Sequence, residues 1–270
     1  MKHFILNTEP DFHPESGNLI RLEGGDYHYL VRVRRLTSGE CFNALLPSGD
    51  EVIVQIVSIN ENKKTLTCKC TASINTAEAS SLEDSSLPRL ILMQALPKGD
   101  KMDLIVRQAA EGGINEIVPF VSEYSMVKIN DGQKFSRWER IIKEARQQSG
   151  SKTATFLHKP LKINGLIEYW NEVKETADCN AAGLLFHHQQ GLEQKSLHGY
   201  LYNNPKIVVL AVGPEGGFSG TEVSVFMENG FFPVKIGSTV FRTETAALYC
   251  AAAVKIILLE RESWEFKTTN

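Results

Sequence analysis

The chain has 270 residues, of which 42% are hydrophobic and 23% charged, with a mean hydropathy of -0.18 and a formal net charge of -3. That length holds one large domain or two modest ones, each able to bury its own core. The composition excludes collagenous, disordered and disulfide-scaffold classes, and no run approaches the ~18 apolar residues of a membrane span.

At the N-terminus only Phe4-Ile5-Leu6 is apolar before acidic residues and Pro10, so no signal peptide is expected and the cytoplasm is the expected location. Gly25–Arg35 predicts a short helix with Tyr29, Leu30 and Val33 on one face, carrying a cluster of Arg32, Arg34 and Arg35. Cys41–Leu46, Glu51–Ile59 and Lys64–Cys70 read as strands separated by PSGD and NENKK turns. Short strands with tight turns suggest a small barrel or sandwich. Thr71–Ser86 is small, polar and acidic, which places a linker at about residues 73–88, between a β domain over 1–72 and a second domain over 89–270.

From there the pattern alternates strand and helix. Leu90–Ala95 is a buried-strand run. LPKGDK follows, with Asp100 as the expected cap of a helix whose apolar face is Met102, Ile105, Val106 and Ala109, stopped by Gly112-Gly113. Ile114–Phe120 is the next strand. Ser136 with Glu139 predicts a capping box opening a helix buried through Trp138, Ile141, Ile142 and Ala145. A weaker helix at Gly165–Val173 precedes a strand at Ala181–Phe186. Ile207–Val212 is another buried strand, Ser219 and Glu222 cap a helix ended by Gly230, Val234–Ile236 is a short last strand, and Thr243–Glu260 is a long helix. Strands alternating with helices imply a parallel sheet covered on both faces.

The charges are unevenly distributed: residues 89–164 carry a net +5 and residues 165–270 a net -4. A basic middle segment can steer a polyanion onto one face, although solvated helix faces account for the same lysines and arginines. The five cysteines, Cys41, Cys68, Cys70, Cys179 and Cys250, are scattered and odd in number. Cys68 and Cys70 share one strand face, the pattern of small buried hydrophobes, so no metal site is expected.

Two segments carry chemistry. Gly213-Pro-Glu-Gly-Gly-Phe-Ser-Gly220 lies between a strand and a helix, where glycines let backbone amides approach a ligand. Its spacing is neither G-x-G-x-x-G nor that of a P-loop, and no lysine follows, so a phosphate-gripping loop is disfavoured. In Ile236-Gly-Ser-Thr-Val-Phe-Arg-Thr-Glu-Thr-Ala246, Arg242 and Glu244 stand at the mouth of an apolar helix. Read structurally, Thr243 is an N-cap and Glu244 complements the helix dipole. That reading leaves two glycine-bearing loops at strand ends without an explanation.

GPEGGFSGTEV followed by IGSTVFRTETAAL closely resembles the paired signature of the SPOUT methyltransferases, in particular the RsmE family, which methylates N3 of a uridine in small-subunit ribosomal RNA. HYLVRVRRLTSGE resembles the family's arginine-rich N-terminal element, and LPKGDKMDLIVRQAAEGGINEIVPF its first catalytic-domain strand–loop–helix–strand. The resemblance covers essentially the whole chain. It implies an α/β fold: a small PUA-like β-barrel domain, then a trefoil-knotted parallel sheet with helices on both faces. It also implies S-adenosylmethionine as cofactor, 16S rRNA of the small ribosomal subunit as substrate, and a homodimer packed through C-terminal helices, with no metal or membrane.

On the residues of this sequence, the resemblance implies cofactor contacts from Leu210, Val212, Gly213, Gly217, Ile236, Gly237, Val240, Thr245 and Ala246. Arg242 is expected to stabilise developing charge or grip the target phosphate, with Glu215 and Glu244 as alternative bases for the uracil N3 proton. RNA contact falls to Arg32, Arg34, Arg35, Lys98, Lys101, Arg137, Arg140 and Arg146. Three stretches depart from the family pattern: His28-Tyr29 in place of paired histidines, Gln147-Gln-Ser-Gly-Ser151 in place of Glu-Gln-Ser-x-Arg, and Lys2-His3-Phe4 in place of an arginine start. A different RNA target of the same fold, a non-catalytic RNA-binding protein and a nucleotide-dependent enzyme are the rival readings. Intact GPEGG and RTETA count against the second, and the missing lysine against the third.

Overall fold

The computed structural model describes residues 4–6, 19–73, 87–125, 132–188 and 193–260. Most of the expected linker and the Lys2-His3 start lie outside them. The chain divides into two compact units, residues 1–81 with 146–154, and residues 82–145 with 155–270.

The first unit is a five-stranded sheet in the order β1 (Phe4–Ile5), β3 (Cys41–Leu45), β4 (Glu51–Asn60), β5 (Thr65–Ser73), β2 (Leu19–Glu23). β1 runs parallel to β3, and the remaining pairs are antiparallel. Alternation sets its core: Val52, Val54 and Ile56 of β4 point the same way as Leu66, Cys68 and Cys70 of β5, and all are buried. Burial pushes the Cys68 thiol up to about 12 and the Cys70 thiol up to about 11, so both stay protonated as packing groups.

The expected helix around Arg32 has a different form. A single α turn, α1 (Gly25–Tyr27), runs into a wider π-helical turn over His28–Val33. The wider turn brings Tyr27 and Leu30 into the core, while Val33, expected there, is exposed.

The second unit is a parallel sheet in the order β12 (Phe231–Val234), β10 (Ala181–Phe186), β11 (Ile207–Val212), β6 (Arg89–Ala95), β7 (Glu116–Val121), β8 (Phe156–Leu157). A short β9 (Leu161–Lys162) also pairs with β7. Each central strand buries both faces. Leu90 and Leu92 of β6, with Val208 and Leu210 of β11, meet α2 (Lys101–Glu111), α3 (Gly132–Ser149) and α7 (Thr243–Glu260). Ile91 and Met93, with Val209 and Ala211, meet α4 (Ile163–Thr176) and α6 (Gly220–Glu228) on the other face. At roughly 1.5–3 kcal/mol per buried aliphatic side chain, this double burial is the unit's main source of stability. A five-residue helix, α5 (Leu197–Leu201), precedes β11.

Three local expectations are corrected. α3 starts at Gly132, so Ser136 lies inside it, where its hydroxyl donates to the Gly132 carbonyl (3.3 Å) instead of capping. Asp100 precedes α2 but its side chain makes no capping bond. The last strand is Phe231–Val234, not Val234–Ile236, because Phe231 must lie over Gly183 of β10, where a Cβ would come within 2.9 Å of its ring. Pro233 is tolerated there since β12 is an edge strand.

The connections give the sheet its switch point. β6 leads through α2 to β7 on one side, whereas its neighbour β11 leads through α6 to β12 on the other. Ligands in open parallel sheets bind at such a divergence, beyond the carboxyl ends of the strands.

Candidate active site at the carboxyl edge of the parallel sheet

The residues after β11 form the floor of a cleft at this point. Gly213, Pro214, Glu215 and Gly217 line it with Val212, Phe218, Ile236, Val240 and Ala246. Gly213 has no room for a side chain: a Cβ would lie 3.1 Å from the Gly217 carbonyl carbon and 3.4 Å from the Phe218 ring. Gly217 holds φ at +70°, which favours glycine. Ser219 and Glu222 form the expected capping box, which fixes where the turn ends and α6 begins.

Glu222 also has a role that its sequence position does not disclose. Its buried carboxylate accepts from the Ser219 amide (2.9 Å), the Ser122 hydroxyl (3.0 Å) and the Glu123 amide (2.9 Å), tying the turn after β7 to the start of α6.

A second pin holds the cleft from the other side. The Thr243 hydroxyl donates to the Gly213 carbonyl (2.6 Å) and accepts from Gln94 Nε2 (3.0 Å), so it does not cap α7 as expected. Gln94, at the end of β6, is fully buried. The two side chains join β6, the glycine turn and the start of α7. Gln94 interrupts a buried-strand run with one polar residue, a signal the sequence carried but did not explain.

The charged groups gather beside this floor. Glu215 accepts from the Lys98 amide (3.1 Å) and Lys101 Nζ (2.6 Å). Burial raises its carboxyl, but Lys101 and the neighbouring backbone amides outweigh that and hold it below the ordinary carboxylate range. Lys101 Nζ also lies 3.8 Å from Glu244 Oε2, so it stands between the two candidate bases and is not a free RNA-contacting cation. Among the described residues Glu244 Oε2 is buried without a hydrogen-bond partner. Arg242 is exposed, and no described residue pairs with its guanidinium.

Six of the nine expected cofactor residues line the cleft: Val212, Gly213, Gly217, Ile236, Val240 and Ala246. Leu210 does not. It shares the face of Val212 but lies two residues deeper, and its side chain is fully buried in the core. Gly237, with φ +70°, follows Ile236 beyond the lining, and Thr245 is exposed on the outer side of α7. The cleft also takes residues that sequence reasoning missed, notably Phe186 at the end of β10, His187 and His188 just beyond it, and Cys250 of α7. Burial pushes the Cys250 thiol up to about 12, so it serves as an apolar wall.

Of the expected RNA contacts, Arg32, Arg34, Arg35, Lys98 and Arg140 are exposed. Arg137 pairs with Asp103 (2.5 Å) and remains half exposed. Arg146 is corrected: it is buried, its guanidinium donates to the Lys152 carbonyl (3.3 Å), and burial lowers its pKa. Lys152, beside the departure at Ser151, pairs with Glu51 (3.5 Å).

An RNA methyltransferase domain model matches residues 83–255, and an RNA methyltransferase PUA domain model matches residues 22–69. The chain belongs to the RNA methyltransferase family. This family member is 32% identical to ribosomal RNA small subunit methyltransferase E 2 of Borreliella burgdorferi over 96% of this chain and 98% of that one. It is 26% identical to ribosomal RNA small subunit methyltransferase E of Bacillus subtilis, over 94% and 95% of the two chains. Among solved structures, a methyltransferase from Legionella pneumophila in complex with S-adenosylmethionine matches with a TM-score of 0.76 at 26% identity, over 94% of this chain and 97% of that one. The Neisseria gonorrhoeae methyltransferase E bound to S-adenosylmethionine shares the fold, with a TM-score of 0.74 at 22% identity over 95% and 98% of the two chains.

The expected α/β fold, with a PUA-like domain followed by a methyltransferase domain, is therefore that of the family. The site suits a cofactor without phosphates: its lining is mainly apolar side chain and glycine-turn backbone, with Glu215 and Lys235 as its charged members, and no lysine follows the glycine turn in the sequence.

Proposed function

We propose that this RNA methyltransferase methylates N3 of a uridine in 16S rRNA of the small ribosomal subunit, using S-adenosylmethionine held in the carboxyl-edge cleft. The observation that supports this most is the meeting of a doubly pinned glycine turn with two carboxylates and a lysine at the sheet's switch point. Val212, Gly213, Gly217, Ile236, Val240 and Ala246 hold the cofactor, with Gly237 and Thr245 flanking them. Bound there, the cofactor supplies an electrophilic methyl group.

The chain's own residues prepare the nucleophile. N3 of neutral uracil carries a proton, which must leave for nitrogen to attack carbon. Glu244 accepts that proton, since Lys101 holds it only at 3.8 Å, whereas Glu215 is engaged at close range by Lys98 and Lys101. General-base help of this kind is typically worth ~10²–10⁴-fold. Arg242 stabilises the charge that spreads onto the uracil carbonyl oxygens, or holds the target phosphate. Lys101 keeps the two carboxylates apart and fixes the loop that carries Lys98. Arg32, Arg34, Arg35, Lys98, Arg137 and Arg140 supply the cationic contacts to rRNA.

A homodimer completes the reading. α7 exposes Leu248, Tyr249, Ile256 and Leu259, an apolar row beside its groove with α2 that a second copy would cover. Light scattering is expected to give the mass of two chains; a monomer overturns this part. No described helix is long and apolar enough to cross a membrane, in keeping with action on cytoplasmic ribosomal RNA.

The test is methyl transfer from S-adenosylmethionine to unmodified small subunits and to naked rRNA, read by nucleoside mass spectrometry. 3-Methyluridine is the expected product, and a different methylated nucleoside would assign the site to another RNA target.

A further inference from the structure

The turn after β7 is built with more care than a connection needs. Ser122 and Glu123 are tied to Glu222, as described above, and the Ser125 hydroxyl donates to the Leu96 carbonyl (3.0 Å) just before the LPKGDK loop. The Ser122 amide in turn donates to the Ser125 hydroxyl (3.2 Å). The turn is thus fixed from both sides of the switch point.

What it presents there is Tyr124. A Cβ on Gly216 would fall 3.0 Å from Tyr124 Cβ and 3.3 Å from its ring, so the ring rests directly on the glycine turn. Its residue is still 47% exposed, and among the described residues its hydroxyl has no hydrogen-bond partner. An aromatic of this size is usually buried or bonded through its polar tip. Here a turn tied on both sides holds it against Gly216, between the cleft-lining Glu215 and Gly217, with about half of its surface open.

We propose that Tyr124 is the stacking platform for the target uridine after it leaves the RNA stack. This inference rests on the function proposed above. A base methylated at N3 must turn its pairing edge toward the methyl donor, which requires extrusion from any helix and a surface to hold the freed ring. Aromatic side chains do this for single-stranded bases, each stacked ring being worth a substantial share of binding. A side chain at Gly216 would press on Tyr124 Cβ and its ring and displace the platform from the glycine turn.

The experiment compares Tyr124→Ala, Tyr124→Leu, Tyr124→Phe and Tyr124→Trp with the wild-type chain. It measures kcat/KM for 3-methyluridine formation on small subunits and, separately, cofactor affinity by calorimetry. Tyr124→Ala and Tyr124→Leu are expected to lose about 5- to 150-fold in kcat/KM. Phe and Trp are expected to stay near wild type, and cofactor affinity is expected to hold within about twofold throughout. Wild-type turnover in the Ala or Leu variant overturns the platform. So does a fall in cofactor affinity that matches the fall in rate, because Tyr124 would then only brace the glycine turn. If the wild-type chain forms no 3-methyluridine, the proposed function itself fails, and the platform with it.

Discussion

The two ends of the parallel sheet each gather a carboxylate with cations, yet they are built for opposite purposes. At the amino edge Glu116, at the start of β7, is hydrogen-bonded to His158 Nε2 (2.6 Å), accepts from the Tyr169 hydroxyl (2.7 Å) and pairs with Arg89. Burial raises its carboxyl, but these partners outweigh that and bring it down to about 2. At the carboxyl edge Glu215 is likewise paired, but Glu244 has only the looser ion pair with Lys101 at 3.8 Å, and Arg242 is exposed beside an open cleft. The amino-edge cluster has the more perturbed carboxylate, and none of its residues lines the carboxyl-edge cleft. A shifted pKa therefore does not by itself mark a catalytic group; here loosely held charges beside a cleft at the switch point mark it better.

Several changes break or sharpen that contrast. Arg242→Ala is expected to lower kcat by about 10²–10³-fold with cofactor affinity and fold intact; near-wild-type turnover would remove its role. Gly213→Val drives a side chain into the Gly217 backbone. With overpacking at roughly 1–3 kcal/mol, cofactor affinity should fall about 5- to 150-fold, and unchanged affinity by calorimetry would take the turn out of the site.

At the amino edge, Glu116→Gln is expected to cost about 3 kcal/mol of stability by denaturant titration while leaving the rate per folded molecule unchanged. The sign follows from a folded carboxyl held at about 2 against an ordinary 4.5. Its stabilisation is complete above the ordinary value and drains away as pH falls through that window. The variant's stability should accordingly lose that component of acid dependence. Thr243→Val, which leaves the Gly213 carbonyl and Gln94 without their shared partner, should cost about 1–3 kcal/mol and loosen cofactor binding modestly.

Much of the second unit was legible in the sequence. β10, β11 and α7 stand where the apolar runs place them, because a strand buried on both faces reads as an unbroken hydrophobic stretch bounded by polar or glycine residues. The capping box at Ser219 and Glu222 was equally plain. The partners of these residues were not legible. That Thr243 reaches Gly213 and Gln94, or that Glu222 reaches Ser122, depends on chain crossings of 30 to 149 residues that no local period encodes. Arg146 reads as a solvated helix charge and is buried, since residues 146–154 cluster with the N-terminal unit. The π-helical turn before the arginine cluster is a matter of one extra residue per turn, below the resolution of hydrophobic patterning.

The contrast between the two edges is tested most directly by single-turnover methyl transfer on small subunits with Glu244→Gln and Glu116→Gln measured side by side. The account predicts a loss of about 10²-fold or more in Glu244→Gln, with cofactor affinity retained, and a wild-type rate in folded Glu116→Gln. A wild-type rate in Glu244→Gln, or a comparable loss in Glu116→Gln, would contradict it.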